Sequence, residues 1–129
     1  MQTRGLQHGQ EALMGEQKVI HFEIVGSDAP ALQNFYSNLF GWKFDMNNPG
    51  GYGMSSADDT GVVVGVGASP DGGAGHVTGY VSVPDIDASL ARATELGGKV
   101  VMPKFSPGPG ATIALLADPG GHVIGLTQA

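Results

Sequence analysis

The chain has 129 residues, 41% apolar and 14% charged, with six Lys and Arg against twelve Asp and Glu for a formal charge of −6. That length suits one compact domain, or two small modules sharing a core, burying roughly 65 to 70% of the unfolded surface, and the composition excludes a disordered chain. The acidic balance without a basic cluster argues against nucleic acid and membrane as partners, and the absence of Cys excludes a disulfide framework and a thiolate metal site.

Residues 1–16 show neither helical nor strand periodicity and read as a flexible N-terminal tail. They also lack the apolar stretch of a secretory signal, so a cytoplasmic location is expected. The longest aliphatic run, around residues 62–66, is far shorter than the ~20 residues of a spanning helix.

Val19, Ile20, Phe22, Ile24 and Val25 form a β-prone run ended by Gly26, Ser27 and Asp28. A helix follows, with Pro30 in its first turn, Leu32, Phe35, Tyr36, Leu39 and Phe40 spaced by three and four, and Gly41 as its stop. Phe35, Tyr36 and Phe40 are expected in the core, with Trp42 closing it. Strands are predicted over residues 42–46, 52–56 and 61–67, with a turn at 47–51.

After a dense turn signal at residues 69–75 the series begins again. A strand is predicted over residues 76–83, then a helix capped by Asp85 or Asp87 and running to Leu96. Strands over residues 99–102, 111–116 and 122–127 follow, separated by turns at 106–110 and 118–121.

Both halves therefore read βαβββ, and the repeat is countable. A shift of 57 superposes Ile24 on Val81, Asp28 on Asp85, Ala31 on Ala88, Leu39 on Leu96 and Gly41 on Gly98. A shift of 60 sets Gly61, Val63 and Gly65 over Gly121, Val123 and Gly125. Modules of roughly 50 residues with one sheet face to hide are marginal alone and are expected to pack together.

With its first block reading HFEIVGSDAPALQNFYSNLFGW and its second ending ADPGGHVIGL, the chain resembles the vicinal oxygen chelate superfamily. That group holds lactoylglutathione lyases, extradiol dioxygenases, fosfomycin-modifying enzymes and bleomycin-resistance proteins; the resemblance is nearest to small bacterial relatives of lactoylglutathione lyase. It covers roughly residues 18–127 and implies an α+β fold. Two βαβββ modules, 18–68 and 75–127, would form a curved mixed sheet with a central cup in one domain spanning 17–129.

In the metal-dependent members each module supplies two ligands, and the equivalent positions here are His21, Gly65, Thr78 and Gly125. Only His21 retains a ligating side chain, so the resemblance implies a cup without the standard metal set. Residues two apart on a strand share a face, their Cα atoms roughly 6.6 Å apart, which sets Glu23 beside His21 and aligns His76, Thr78 and Tyr80. Gly65 and Gly125 are expected to widen the cup by removing side-chain bulk.

His21 and Glu23 read either as a catalytic acid and base pair or as a hydrogen-bonded pair that only satisfies itself. Tyr80 reads as a hydrogen-bond donor to a ligand or as a packed ring, and Met54 and Tyr52 as cup walls or plain core. Together, Met54, Gly65, Thr78, Tyr80 and Gly125 make the expected ligand-binding set. His122, out of phase with Gly125, is expected on the surface. No cofactor is expected; the alternative is a divalent metal held by His21, Glu23 and His76 with waters. The glycine-rich turns near Gly50, Gly72 and Gly108 lack the context of phosphate loops, and there is no GxSxG elbow.

The function expected first is binding of a small organic molecule in a metal-free cup. The alternative is a lyase, isomerase or dioxygenase using a non-standard metal or the His21 and Glu23 pair, and a third option is an interaction module with a plugged cup. Homodimerisation is expected, because superfamily members often complete their sheets across two subunits.

Overall fold

The computed structural model describes residues 17–108 and 110–128; the tail expected at residues 1–16 lies outside them. Two compact units divide this chain, one spanning Ile20–Gly79 and the other Tyr80–Ala129 together with residues 17–19 of the described chain.

The first unit contains β1 (Val19–Gly26) from Ile20 onward, α1 (Ala29–Phe40), a 3-10 turn (Pro49–Gly51), β2 (Gly53–Met54), α2 (Ala57–Thr60) and β3 (Val63–Ala68). Its strands lie in the order β2-β3-β1. β1 and β3 run parallel with Glu23 opposite Gly65, and β2 runs antiparallel to β3 with Met54 opposite Gly65. The alternation of VVGVGA on β3 separates two faces. Val64 and Val66 pack with Ile24 against Leu32, Tyr36, Trp42 and Phe44, which turns Gly65 and Gly67 the other way. α1 begins where Asp28 Oδ1 accepts the Ala31 N–H at 3.0 Å and ends at Gly41, whose φ of 75° is a left-handed helix stop.

Three expectations are corrected in this unit. Residues 42–46 are not a strand but make one isolated bridge, Asp45 to Met54, and the strand expected over 52–56 shrinks to two residues. The reason is local: Asp45 Oδ1 accepts the Asn47 N–H at 2.9 Å and Asn48 Nδ2 donates to the Asp45 carbonyl at 2.9 Å, a turn that competes with ladder formation. Ser56 then caps the short helix α2 instead of ending a strand. Phe35 and Phe40, expected in the core, are each 56% exposed. The buried line of α1 runs through Ala29 and Gln33, one turn apart, and the Phe40 ring packs on Trp42 with centroids 4.8 Å apart.

Gln33 is the polar residue that this rotation buries. Its Nε2 donates to the Val66 carbonyl at 2.9 Å and to the Gly51 carbonyl at 3.0 Å, tying α1 to β3 and to the 3-10 turn.

β4 (His76–Val83) starts in the first unit and continues into the second, followed by α3 (Ile86–Glu95), β5 (Lys99–Gly108), β6 (Ala111–Ala117) and β7 (Val123–Gln128). In the second unit the strand order is β4-β7-β6-β5. β4 and β7 are parallel with Tyr80 opposite Gly125, and the other pairs are antiparallel. Val83, Ile86, Leu90, Ala114 and Leu126 form its core. Asp85, rather than Asp87, caps α3 by accepting the Ala88 N–H at 3.1 Å. β5 runs through the turn expected at 106–110 as far as Gly108, with register shifts along its length.

Each unit thus builds a mixed sheet carrying a capped helix, the α+β class expected. The repeat is visible in detail: Asp28 and Asp85 make the same cap 57 residues apart, and Glu23–Gly65 and Tyr80–Gly125 are the same register position.

Replacing Gln33 by Leu keeps the volume and withdraws the hydrogen bonds to the Val66 carbonyl of β3 and to the Gly51 carbonyl of the 3-10 turn. Chemical denaturation of Gln33→Leu is expected to show a loss of about 1 to 3 kcal/mol.

Candidate functional site

Glycine at positions 65 and 67 leaves a trough along one face of β3, and Tyr52 lies in it. A Cβ added at residue 65 would overlap the Tyr52 hydroxyl, and one at residue 67 would lie 2.5 Å from its ring. The glycines therefore do not widen a cup here, as the sequence suggests; the missing bulk is supplied by a tyrosine from a neighbouring turn. Gly125 repeats the outcome in the second unit, where an added Cβ would overlap the ring of Tyr80 on the adjacent strand.

The Tyr52 hydroxyl joins two of the predicted residues. It donates to Glu23 Oε2 at 3.1 Å, and His21 Nε2 lies 2.8 Å from its oxygen. With its one proton given to Glu23, the phenol oxygen accepts from His21, which sets the Nε2–H tautomer of the imidazole. The imidazole and phenol planes are within 9° of parallel, with centroids 6.2 Å apart. On its other oxygen Glu23 meets His76 Nε2 at 3.4 Å. Four side chains thus form a row, His21–Tyr52–Glu23–His76, running from a half-buried imidazole to one whose side chain is 46% exposed.

Tyr52 is held in place from its backbone. Gln33 binds the carbonyl of the preceding Gly51, and Asn48 Nδ2 donates to the Tyr52 carbonyl at 3.0 Å. Burial lowers the His21 pKa below its ordinary 6.5, outweighing the Glu23 carboxylate, which raises it. The imidazole is neutral at pH 7.

The other predicted residues divide between the units. Met54, opposite Gly65, shares the face of the row, while Thr78 is buried on β4. Tyr80 is buried over Gly125. His122 is exposed and paired with the Asp118 carboxylate at 3.1 Å. A groove of about 500 Å³ opens on the α1 side of the first unit, lined by Ile24, Leu32, Phe35 and Val77 among others, and His76 belongs to both groove and row. Gln33 and Asn48 are site residues that sequence reasoning missed, and Tyr52, read there as a cup wall or plain core, was not given its polar role between His21 and Glu23. The only available signal was the glycine pair on β3, which marks an absent side chain without naming its replacement.

The divalent metal of the alternative reading does not fit these side chains as arranged. His21 Nε2 and Glu23 Oε2 both face the phenol oxygen, and the space in front of residue 65 is filled by Tyr52. Among the described residues no group of three or more His, Asp or Glu is gathered to hold an ion, the set His21, Glu23 and His76 included.

Residues 20–127 match the protein family described as "Glyoxalase-like domain". A Mycobacterium bovis protein named "Putative glyoxylase CFP32" is 36% identical in an alignment of 110 residues that covers 80% of this chain and 42% of that protein. The chain therefore spans about two fifths of the length of this curated relative. Among solved structures, methylmalonyl-CoA epimerase from Mycobacterium tuberculosis superposes with a TM-score of 0.63 at 16% identity, covering 85% of this chain and 86% of that one. A glyoxalase/bleomycin resistance protein/dioxygenase superfamily member from Vibrio splendidus 12B01 gives a TM-score of 0.59 at 19% identity, covering 87% and 97%. At such identities the likeness is one of fold.

The lowered pKa of His21 carries a sign for stability. The unfolded chain takes up the proton first as pH falls, so the contribution of His21 is full above about pH 6.5 and is lost as pH falls through its folded pKa. Urea midpoints at pH 7 and pH 5 should therefore differ more for the wild type than for His21→Gln, which has no imidazole to protonate.

Proposed function

The chain belongs to the glyoxalase-like domain family, and from that premise we propose that it binds a small organic molecule on the strand face carrying His21, Tyr52 and Glu23, without a divalent metal. The observation that supports this most is the hydrogen-bonded row itself. It is half-buried, includes a neutral imidazole, and offers a hydroxyl, a carboxylate and two ring nitrogens to the oxygens and N–H groups of a ligand. Met54 lies on the same face and supplies a polarisable, adaptable wall. Of the structural neighbours, methylmalonyl-CoA epimerase has been solved in complex with methylmalonyl-CoA, which makes acyl-CoA thioesters one reasonable class of candidate.

A second function is favoured by one detail. The Tyr52 hydroxyl stands between an imidazole and a carboxylate, so a proton taken up at one end of the row passes to the other through a single hydroxyl. An isomerase or lyase working by proton transfer would use this arrangement, with Tyr52 as the group that links the predicted pair.

A panel of acyl-CoA thioesters, glutathione thioesters, catechols and glycopeptides, screened by thermal shift and titration calorimetry, tests the binding proposal. Any genuine ligand should bind at least about tenfold more weakly to Tyr52→Phe and Glu23→Gln, by analogy with the loss of one buried hydrogen bond. Ligands that bind all three proteins equally would place the site elsewhere. Incubating each hit in D₂O separates the two functions: deuterium entering an acidic C–H, lost in Tyr52→Phe, marks proton transfer, and its absence marks binding alone.

A further inference from the structure

The groove on the α1 side of the first unit is closely built. The buried end of β1, Ile24 and Val25, lines it, with Leu32 and Phe35 of α1 on one side and residues 74–77 on the other. Both sides are seated on bare backbone. Gly75 has a φ of 84°, and a Cβ added there would overlap the Val25 carbonyl, while a Cβ at residue 26 would lie 2.7 Å from Leu32 Cδ1. Its volume of about 500 Å³ falls in the range of small-molecule sites. Phe35 and Val77, both more than half exposed, leave apolar surface at its edges for a ligand to cover.

The charge of the groove has one sign. Among the described residues that line it there is no Lys or Arg, and Asp28, exposed, supplies the one carboxylate. α1 itself carries no charged residue. His76 also lines the groove, but its Nε2 meets Glu23 Oε1 at 3.4 Å, so the positive charge an imidazole can carry is already matched. Asp28 Oδ1 accepts the Ala31 N–H, one bond for a group able to accept about four. A full negative charge there outweighs the roughly half charge of the helix N-terminus. Asp28, Leu32 and Phe35 are four and three residues apart, which sets them along one side of α1 over about 10 Å.

We infer that this groove is a second small-molecule site, taking a primary amine with an apolar alkyl or aryl body. The ammonium meets Asp28 and the body lies along Leu32, Phe35 and Val77. Carboxylates and phosphates find no cation in it. The site is separate from the row of His21, Tyr52 and Glu23, so the function proposed above and this one can fail independently.

Phenylbutylamine, phenylbutanol and phenylbutanoate share a tail and differ in head charge at pH 7. Each is titrated into ¹⁵N-labelled protein and followed by amide shifts. The amine is expected to bind about fivefold more tightly than the alcohol, as one exposed ion pair allows, and the carboxylate more weakly than either, with shifts at Val25, Leu32 and Val77. Asp28→Asn removes the charge and keeps the cap, since Asn caps as well as Asp. In this variant the amine should fall to the affinity of the alcohol, which stays unchanged. Phe35→Ser should weaken all three ligands by similar factors.

An amine that binds no better than the alcohol, or that moves none of these amides, would overturn the inference. So would a preference for the amine that survives in folded Asp28→Asn. Amine binding weakened by Tyr52→Phe and untouched by Asp28→Asn would assign the amine to the row instead. If Asp28→Asn does not fold, Asp28→Ser, which also caps, takes its place under the same criteria.

Discussion

The contact between the Tyr52 ring and the bare backbone of β3 organises the site of the first unit. An aromatic ring needs an apolar bed, and its hydroxyl needs a partner when it is half-buried. Gly65 and Gly67 supply the bed, while Glu23 and His21 supply the partners at the far end. Several other features then follow. The tautomer of His21 is set by the phenol, one oxygen of Glu23 is fixed while the other reaches His76, and the polar residues Gln33 and Asn48 are required to hold the turn from which the ring projects. A side chain at position 65 would dismantle all of these at once.

The two units solve the same packing problem by different means. The parallel register that pairs Glu23 with Gly65 also pairs Tyr80 with Gly125, so each sheet has a glycine at an equivalent point. In the second unit the covering ring comes from the directly opposed residue on the adjacent strand; in the first it comes from a turn, because the opposed residue is Glu23. The same backbone plan thereby gives a buried aromatic patch in one place and a half-buried polar row in the other. This is the general separation of fold from function, seen within a single chain.

Much of the fold was legible because its signals are local. Asp28 and Gly41 bracket α1 through side-chain capping and a left-handed stop, and Asp85 does the same for the start of α3, so caps and periodicity located both helices. The alternation on β1 placed His21 and Glu23 on one face correctly. The rest depended on tertiary facts. Gln33 looks like a surface residue until β3 and the 3-10 turn arrive with unpaired carbonyls, and its burial rotates α1 so that Phe35 faces outward. Tyr52 meets a residue 31 positions away, and no period or spacing encodes that contact. Residues 42–46 have strand composition, yet Asp45 and Asn48 form a local turn that strand propensity does not register.

The ring that fills the trough is carried by the residue that caps a three-residue 3-10 turn and not by a strand. Its seat is secured by the hydrogen bonds of Gln33 and Asn48, together with the weak closure from Tyr52 N–H to the Pro49 carbonyl at 3.5 Å. Those bonds, and the phenol's own to His21 and Glu23, lie outside the β1–β3 ladder. The local unfolding free energy of that turn is only a part of the global stability. The environment of His21 and Glu23 is consequently governed by a separate and smaller equilibrium than the one that maintains the sheet.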